Sequence, residues 1–424
     1  MGSSDTYDFV VFGATGFTGQ YVVEELAVAC DGTEYTWAIA GRSMEKLQKV
    51  LAQASKQTGL ALEEKPILMA DMTSDEALMD MCKAAKVLLN CVGPYRFFGE
   101  KVVKACIENK THHLDISGEP QYLEKMQLLY HGKAKENSTY IIGACGFDSI
   151  PADMGLIFLK NNWGAGEVNS AENYVETESG PDGGGAHYAT WQSAIYGFAH
   201  AHELKSLRKQ LYPSPLPKPS FRQTRRSVVF HSKDVNGYCV PFPGSDRSVV
   251  QRTERYIHEQ KNTRPVQFQA YYRAGNLLAT LGLSVFGIIF GLLASFSFGR
   301  TLLEKFPRLF SAGKFSHEGP SRKQIADCTF WMLMIGEGWQ KKMTPEEQHK
   351  DQPDKKVRVK ISGPEAGYVT TPRCMVAAAL CLVEEPDKLP AGGGVYTPGA
   401  AFADTQLMDR LQKRDIKFEV LPEE

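Results

Sequence analysis

A strand, a glycine turn and a helix follow one another at the start of the chain. The apolar run at residues 7–12 predicts a buried strand, and the apolar positions of residues 20–29 recur at helical spacing. Between them lies GATGFTG, residues 13–19, with a glycine at every third position. This order is typical of the phosphate-binding unit of a doubly wound parallel sheet. Because the spacing is GxxGxxG rather than GxGxxG, an ordinary strand-to-helix turn is the alternative.

The residues of this turn have separate predicted roles. Gly13 permits the tight turn, Gly16 lets the backbone approach a pyrophosphate, and Gly19 lets the helix lie close to the strand. The helix N-terminus adds unpaired N–H groups and the positive end of its dipole. We therefore expect the turn to hold the phosphates of a dinucleotide. Its predicted contacts are Gly13, Thr15, Gly16, Phe17, Thr18 and Gly19.

Apolar runs and helical patterns continue to alternate after this turn, which predicts a parallel α/β sheet. The further strands are predicted at residues 35–41, 66–71, 87–95, 112–116 and 140–144, and the fourth strand, 87–95, runs into a turn. Ligands of such a sheet bind outside the carboxyl ends of its strands. At the end of the fourth strand, the predicted contacts to the nicotinamide half of the cofactor are Asn90, Val92, Gly93 and Pro94.

The tip of the second strand indicates which dinucleotide is bound. It lies beside the adenosine ribose, where an acidic residue binds the 2′-hydroxyl and an arginine accommodates a 2′-phosphate. The tip carries Arg42 and Ser43, and Lys46 follows in the next helix. We therefore predict NADP(H) rather than NAD(H), the alternative being an arginine without a role in binding. Asp71, at the tip of the third strand, is expected to meet the adenine.

Two other enzyme classes with glycine-rich turns are excluded because this sequence lacks the residues that their chemistry needs. A P-loop needs GxxxxGK[ST], and Gly19 is followed by Gln20. Short-chain dehydrogenases use a YxxxK pair, and no tyrosine of the sequence has a lysine four positions later.

The chain resembles the saccharopine dehydrogenase-like oxidoreductase family over nearly its whole length. The segments that carry the resemblance are VVFGATGFTG at 10–19, AGRS at 40–43, LNCVGPY at 89–95, DISGE at 115–119, GFDSIPAD at 146–153 and GPEAGY at 363–368. The resemblance implies a Rossmann domain followed by a second α/β domain, and an oxidoreductase activity. It does not imply that saccharopine is the substrate, since relatives of this shape include bacterial trans-acting enoyl reductases of lipid synthesis.

We expect residues 1–153 to form the NADP-binding domain, with residues 395–424 packing back on it. Residues 154–270 and 301–394 are expected to form the second α/β domain. Within it, Ile325, Cys328 and Trp331 are spaced as on a helix.

Residues 274–299 carry no charged side chain, and their densest apolar part is Leu277–Ala294. That length meets the criterion for a membrane-spanning helix. A single crossing would separate two parts of one enzyme, so we favour a segment that enters one leaflet, as a hairpin bending at Gly282 or Gly287, or that lies in the interface. Arg300, Lys305, Arg308 and Lys314 downstream are suited to anionic headgroups. A helix buried in the protein and a dimer interface are the alternatives.

The composition indicates which binding partners and which cellular compartment to expect. The chain has 424 residues and a formal net charge of −1, so nothing indicates nucleic acid. Its 9 cysteines include no CxxC pair, and several lie inside apolar runs, as small buried side chains of a protein in a reducing compartment do. We therefore expect the protein at the cytoplasmic face of a membrane or lipid droplet. The start, MGSSDT, matches the MGxxx[ST] pattern for acylation of Gly2, the alternative being a disordered N-terminus.

Hydride transfer often needs one proton donor beside the nicotinamide. The candidates on loops at the carboxyl edge of the sheet are Tyr95, Asp115, Glu119 and Asp148. Tyr95 and Asp148 are preferred, although each candidate has a structural alternative: packing under the cofactor, capping a turn or lying in solvent. No spacing of His, Cys and acidic residues indicates a metal.

The sequence thus predicts an NADP-dependent oxidoreductase that acts on an apolar substrate at a membrane or lipid-droplet surface. Two alternatives remain open: an oxidoreductase of amino-acid-type substrates, and a nucleotide-binding adaptor without catalysis.

Overall fold

The computed structural model describes residues 6–344 and 347–422. Gly2, the predicted acylation position, lies outside these residues. In chain order the strands are β1 (Tyr7–Phe12), β2 (Trp37–Gly41), β3 (Ile67–Met69), β4 (Ala85–Asn90), β5 (His112–Asp115), β6 (Tyr140–Ile142), β7 (Glu167–Glu178), β8 (Ala186–His187), β9 (Phe230–Ser232), β10 (Gly237–Pro241), β11 (Gln267–Gly275), β12 (Phe315–Ser316), β13 (Thr329–Trp339), β14 (Lys355–Pro364), β15 (Gly394–Tyr396) and β16 (Lys417–Val420).

The α-helices alternate with these strands in the first part of the chain and join longer loops in the rest. In chain order they are α1 (Phe17–Cys30), α2 (Met44–Thr58), α3 (Asp75–Lys83), α4 (Tyr95–Asn109), α5 (Pro120–Glu136), α6 (Ile150–Asn161), α7 (Tyr188–Ala199), α8 (Glu203–Leu211), α9 (Asp246–Lys261), α10 (Leu277–Ala294), α11 (Ser297–Lys305), α12 (Pro307–Phe310), α13 (Arg322–Ala326), α14 (Thr371–Glu384), α15 (Pro398–Phe402) and α16 (Leu407–Gln412).

The chain divides into two compact units, and each is formed from separated segments. Of the described residues, 6–147 and 367–411 form the first unit, and 148–344, 347–366 and 412–422 form the second. This division differs from the sequence-based boundaries in three respects. Residues 148–153 belong to the second unit instead of the NADP-binding domain. Residues 367–394 belong to the first unit instead of the second domain, and of the returning segment 395–424 only residues 395–411 join the first unit.

The first unit is built on a parallel sheet in the order β15-β6-β5-β4-β1-β2-β3. Its strands are apolar because helices cover both faces of a doubly wound sheet. Every residue of the central strand β1 except Tyr7 is buried. The strand order reverses where β1 lies beside β4, so the carboxyl ends of β1 and β4 flank the switch point at which such sheets bind ligands. The predicted Rossmann sheet is confirmed.

The segment that returns to the first unit completes its core. Helix α14 is apolar around most of its circumference, and Cys374, Met375, Ala378 and Cys381 are buried. The Tyr368 ring packs edge-on against Phe17 with 4.7 Å between ring centroids. The burial of these side chains explains why residues 367–411 fold with the nucleotide-binding segment, although more than two hundred residues of the chain lie between the two.

The second unit contains a mixed sheet in the order β16-β14-β13-β7-β11-β10-β9. The predicted helix through Ile325, Cys328 and Trp331 is wrong, because α13 ends at Ala326 and Thr329–Trp339 is strand β13. This strand pairs antiparallel with β7 on one side and with β14 on the other. A strand flanked on both sides gains a complete ladder of backbone hydrogen bonds, which outweighs an accidental helical spacing.

Two helical stretches of the described residues are long and apolar enough to cross a membrane. Ala366–Glu384 has a mean hydropathy of 1.4 and is 67% buried, so it is a core element of the folded chain. Leu277–Ala294, which is α10, has a mean hydropathy of 2.4 but is only 17% buried. The alternative of a helix buried in the protein is therefore wrong for α10. The helix is continuous, and the predicted bend at Gly282 or Gly287 is absent from it.

Large aliphatic side chains form an exposed surface along one face of α10, which we call the α10 stripe. Its residues are Leu277, Leu278, Leu281, Val285, Ile288, Ile289 and Leu292. They recur at intervals of three and four, so they share one side of the helix. Thr280, Phe290 and Ala294, on the opposite side, are buried.

Candidate cofactor site

The glycine turn adopts a backbone conformation that a side chain would disturb. Gly13 has φ 80°, in the left-handed region. Its N–H donates to the Ala40 carbonyl over 3.1 Å, and its own carbonyl accepts from the Gly16 N–H over 2.9 Å. A Cβ on Gly13 would lie 2.7 Å from Val92 Cγ2. The turn is therefore held between the ends of β2 and β4, at the switch point of the sheet.

Gly16 and Gly19 bring helix α1 against the turn. A Cβ on Gly19 would lie 2.2 Å from the Gly13 carbonyl oxygen, so only glycine permits this approach. Gly16 is the N-cap residue of α1, and no side chain caps this helix or places an acidic group in its first turn. No acidic side chain of the first turn therefore competes with a bound phosphate for the backbone N–H groups and the positive end of the helix dipole.

Arg42 lies exposed at the end of β2, directly before Ser43, the N-cap residue of α2. The carboxylate of Asp71 accepts from the Thr73 N–H over 2.8 Å and from its hydroxyl over 2.7 Å. These hydrogen bonds, with a smaller contribution from the positive charge of Arg42, lower the pKa of Asp71. The charges of Arg42 and Asp71 thus face the same edge of the sheet, whereas the contact of Asp71 with adenine stays a prediction.

Asn90 supports the loop after β4 from inside the protein. It is fully buried, and its Oδ1 accepts from the Val92 N–H over 3.0 Å. Its Nδ2 donates to His113 Nε2 over 3.2 Å, and burial lowers the pKa of that histidine to about 3, so the ring is neutral. The side chain of Asn90 therefore fixes the shape of the loop that presents Val92, Gly93 and Pro94.

The hydroxyl of Tyr95 is also engaged within the protein. It donates to the Asn90 carbonyl over 2.9 Å and accepts from the Ile116 N–H over 3.4 Å. Burial raises the pKa of Tyr95 well above its usual value. These contacts engage the single hydroxyl proton of Tyr95 in holding the loop after β4, while its role as a proton donor stays a prediction.

Glu119 caps helix α4 across the loop. Its two carboxylate oxygens accept from the backbone N–H groups of Tyr95, over 3.0 Å, and Arg96, over 3.1 Å. A negative charge at a helix N-terminus is stabilising. Glu119 is only 2% exposed, so the alternative that it lies in solvent is wrong.

Asp115, at the end of β5, is buried and organises the neighbouring loops. Its carboxylate accepts from the N–H groups of Ser117 and Ala144 and from the Tyr122 hydroxyl, over 3.0, 3.2 and 3.0 Å. Burial outweighs these hydrogen bonds and raises the pKa of Asp115 to about 6.

Comparison with known proteins places this site in a family. The family profile described as "Saccharopine dehydrogenase NADP binding domain" matches residues 9–142. Saccharopine dehydrogenase-like oxidoreductase of Rattus norvegicus is 46% identical over 98% of this chain and 97% of its own length. The chain belongs to the saccharopine dehydrogenase-like oxidoreductase family. A further relative, 37% identical over 98% of both chains, is named lipid droplet localized protein of Caenorhabditis elegans.

A solved structure shares the fold of this saccharopine dehydrogenase-like protein. Saccharopine dehydrogenase (L-Glu forming) of Saccharomyces cerevisiae matches with a TM-score of 0.54 at 13% identity, over 98% of this chain and 100% of that chain. The match to an NADP binding domain confirms the predicted cofactor, NADP(H). The contacts of the glycine turn with its pyrophosphate and of Arg42 with its 2′-phosphate stay predictions.

The second unit of this family member holds the other preferred candidate, Asp148, beside a second carboxyl group. Asp148 Oδ1 accepts from the Ser245 N–H over 2.8 Å, and the neighbouring Asp246 is fully buried. Burial raises the pKa of both acids, and the nearby charge of Asp148 raises that of Asp246 further. Sequence reasoning missed Asp246 because almost a hundred residues separate it from Asp148 and no motif links them.

Metal chemistry receives no support from the arrangement of side chains. Across residues 6–344 and 347–422, no group of three or more His, Cys, Asp or Glu side chains is placed to hold a metal ion.

We expect Asp115 to make the stability of the saccharopine dehydrogenase-like fold fall as the pH rises from about 4 to about 6. Its folded pKa of about 6 lies above the unfolded value, so the folded state binds the proton more tightly in this window and loses that advantage on ionisation. The decrease amounts to about 3 kcal/mol. Denaturant unfolding at several pH values should show a flatter dependence for Asp115→Asn, and an unchanged slope would contradict this assignment.

Proposed function

We propose that the protein is an NADP-dependent oxidoreductase that reduces an apolar substrate at a lipid surface. The NADP-binding domain supports the cofactor part of this proposal. The exposed α10 stripe is the observation that supports the lipid part, because a contiguous apolar surface of this kind marks an interaction site. The name of the Caenorhabditis elegans relative, lipid droplet localized protein, agrees with this choice.

A reduction of this kind needs a hydride and, in most cases, a proton. NADPH, when bound, supplies the hydride to the electron-poor atom of a polarised double bond of the substrate. The proton goes to the other atom of that bond, and we assign Asp148 as its donor. Asp148 is half-buried and its pKa is raised, whereas the hydroxyl of Tyr95 is engaged by the Asn90 carbonyl and the Ile116 N–H.

The Asp148→Asn variant is expected to bind NADPH normally and to turn over roughly 10²-fold or more slowly, because an amide cannot donate the proton of the carboxylic acid. Asp182→Asn is the matched control, since Asp182 is an exposed carboxylate of the same unit that pairs with Lys323. NADPH oxidation is measured with a lipid extract as the source of substrate. Equal rates for Asp148→Asn and the control would remove Asp148 from the mechanism.

The cysteines support the proposed cytoplasmic face. All 9 cysteines of the sequence are free thiols. Cys82 and Cys106 have their sulfurs 3.6 Å apart without forming a disulfide. Persistent free thiols are typical of a reducing compartment.

A further inference from the structure

We infer that α10 lies in the plane of a single phospholipid monolayer, with the α10 stripe inserted and the opposite face held by the protein. This inference rests on the lipid-surface part of the proposed function and specifies its partner and geometry. It excludes a helix that crosses a bilayer, although the length of α10, about 27 Å, is close to the thickness of a hydrocarbon core.

The exposed side of α10 has the surface that a monolayer requires. Leu278, Ile288 and Leu292 are 82%, 72% and 65% exposed. A Cβ added at Gly282 would have no neighbour within 4 Å, so this position is open as well. An interfacial helix inserts its apolar face about 5–10 Å deep at the boundary between headgroups and acyl chains and keeps a polar face outside. Helix α10 has no charged side chain of its own, so the folded protein that covers its other side takes the place of that polar face.

The other side of α10 is covered by helix α7. The ring of Trp191 packs edge-on against Phe290 with 4.8 Å between centroids, and Phe198 packs against Phe290 at 5.3 Å. Any crossing of α10 would carry α7 into the hydrocarbon with it. Helix α7 has 12 residues, too few to span a bilayer, and a hydrogen-bonded pair, His200 and Glu203, follows it.

Both ends of α10 return to the same sheet. Strand β11, directly before α10, pairs with β7, and β13, after it, pairs with the other edge of β7. Helix α11 turns back against α10, since a Cβ on Gly299 would lie 2.1 Å from the Leu293 carbonyl oxygen. The Trp191 indole N–H then donates to the Leu303 carbonyl over 2.9 Å. The chain therefore enters and leaves α10 on one folded body, which leaves no segment for the far side of a bilayer.

The charges beyond α10 suit anionic headgroups at the edge of the monolayer. Lys305 and Lys314 are exposed, and the ammonium group of Lys305 lies 5.4 Å from the centre of the Phe306 ring. Arg308 pairs with Glu318 over 2.9 Å, and Arg300 donates to the Ala294 carbonyl at the end of α10. Of the four predicted headgroup ligands, Lys305 and Lys314 are therefore the ones we assign, and each basic residue near an anionic surface adds to binding.

The test compares two lipid particles and two variants of the full-length protein. One particle is a vesicle of phosphatidylcholine and phosphatidylserine, and the other is a triacylglycerol droplet coated with a monolayer of the same phospholipids. The stripe variant is Leu278→Glu with Ile288→Glu. Its matched control is Leu129→Glu with Val228→Glu, which changes two exposed apolar residues outside the α10 stripe by the same charge. Co-flotation measures binding, and thermal unfolding with NADPH titration shows that each variant is folded.

The wild-type protein and the control variant are expected to bind both particles, and the stripe variant to bind each at least roughly 30-fold more weakly. Binding to vesicles without binding to droplets would overturn the monolayer geometry. Equal flotation of the stripe and control variants would overturn the stripe as the lipid contact. A lipid-free dimer that the stripe variant dissociates would show instead that a second copy covers the stripe, and failure of NADPH binding would count only against the proposed oxidoreductase.

Discussion

Gly19→Ala is expected to raise the dissociation constant for NADPH roughly 10²-fold and to lower the free energy of unfolding by about 1–3 kcal/mol. The added Cβ would lie 2.2 Å from the Gly13 carbonyl oxygen and 3.0 Å from its carbonyl carbon. These are backbone atoms, which cannot rotate away. Helix α1 must therefore move from the turn, and the amides that we expect to bind the pyrophosphate move with it.

Gly132→Ala provides the matched control for that experiment. Gly132 lies on the exposed surface of α5, where a Cβ would have no neighbour within 4 Å. Alanine favours a helix over glycine, so this variant is expected to gain about 0.5–1 kcal/mol of stability and to bind NADPH as the wild type does. Fluorescence titration of NADPH and denaturant unfolding measure both variants. An unchanged NADPH affinity in Gly19→Ala would show that the close approach of α1 is not needed for binding.

Arg42→Asp is expected to reverse the choice of cofactor. Loss of a charge-assisted contact to the 2′-phosphate, with a repelling carboxylate in its place, should weaken NADPH binding roughly 10²-fold. Binding of NADH should improve, since an acidic residue at this tip binds the ribose 2′-hydroxyl. The positive charge of Arg42 now helps to lower the pKa of Asp71, so the substitution should also raise that pKa.

The control for Arg42→Asp is Lys56→Asp, which changes the net charge equally. Lys56 is exposed in the last turn of α2, at the opposite end of that helix from Arg42. Dissociation constants for NADPH and NADH are compared in the two variants and the wild type. If Lys56→Asp weakens NADPH binding as much as Arg42→Asp does, the effect is one of overall charge and the assigned contact is absent.

The nucleotide-binding part of the fold was predictable because its signals are local. The glycines, the apolar strands and the residues at strand tips all lie within short segments, and the parallel sheet follows from their alternation. Helix α14 carries local signals at both of its ends, since Pro372 lies in its first turn and Pro386 follows its end. What the sequence did not reveal is that α14 folds with the first unit, because that depends on contacts between distant segments.

Strand β13 and Asp246 show two further limits of sequence reasoning. A strand buried between two neighbours is almost continuously apolar, so it lacks the alternation that distinguishes a strand from a helix. The sequence around Asp246 contains no motif, and Asp246 becomes a candidate site residue only because the fold buries it beside Asp148. Likewise, the roles of Glu119 and Asn90 depend on backbone groups that only the folded loops bring to them.

The proposed reaction is tested most directly by following the hydride itself. NADPH carrying deuterium at both C4 positions of the nicotinamide is incubated with the full-length protein and vesicles that contain a cellular lipid extract. The proposed function predicts that one deuterium appears in an apolar component of the extract, and that the heat-inactivated protein transfers none. Binding of NADPH without transfer of deuterium to any lipid would contradict an oxidoreductase of apolar substrates and leave the two alternatives, an oxidoreductase of amino-acid-type substrates and a nucleotide-binding adaptor.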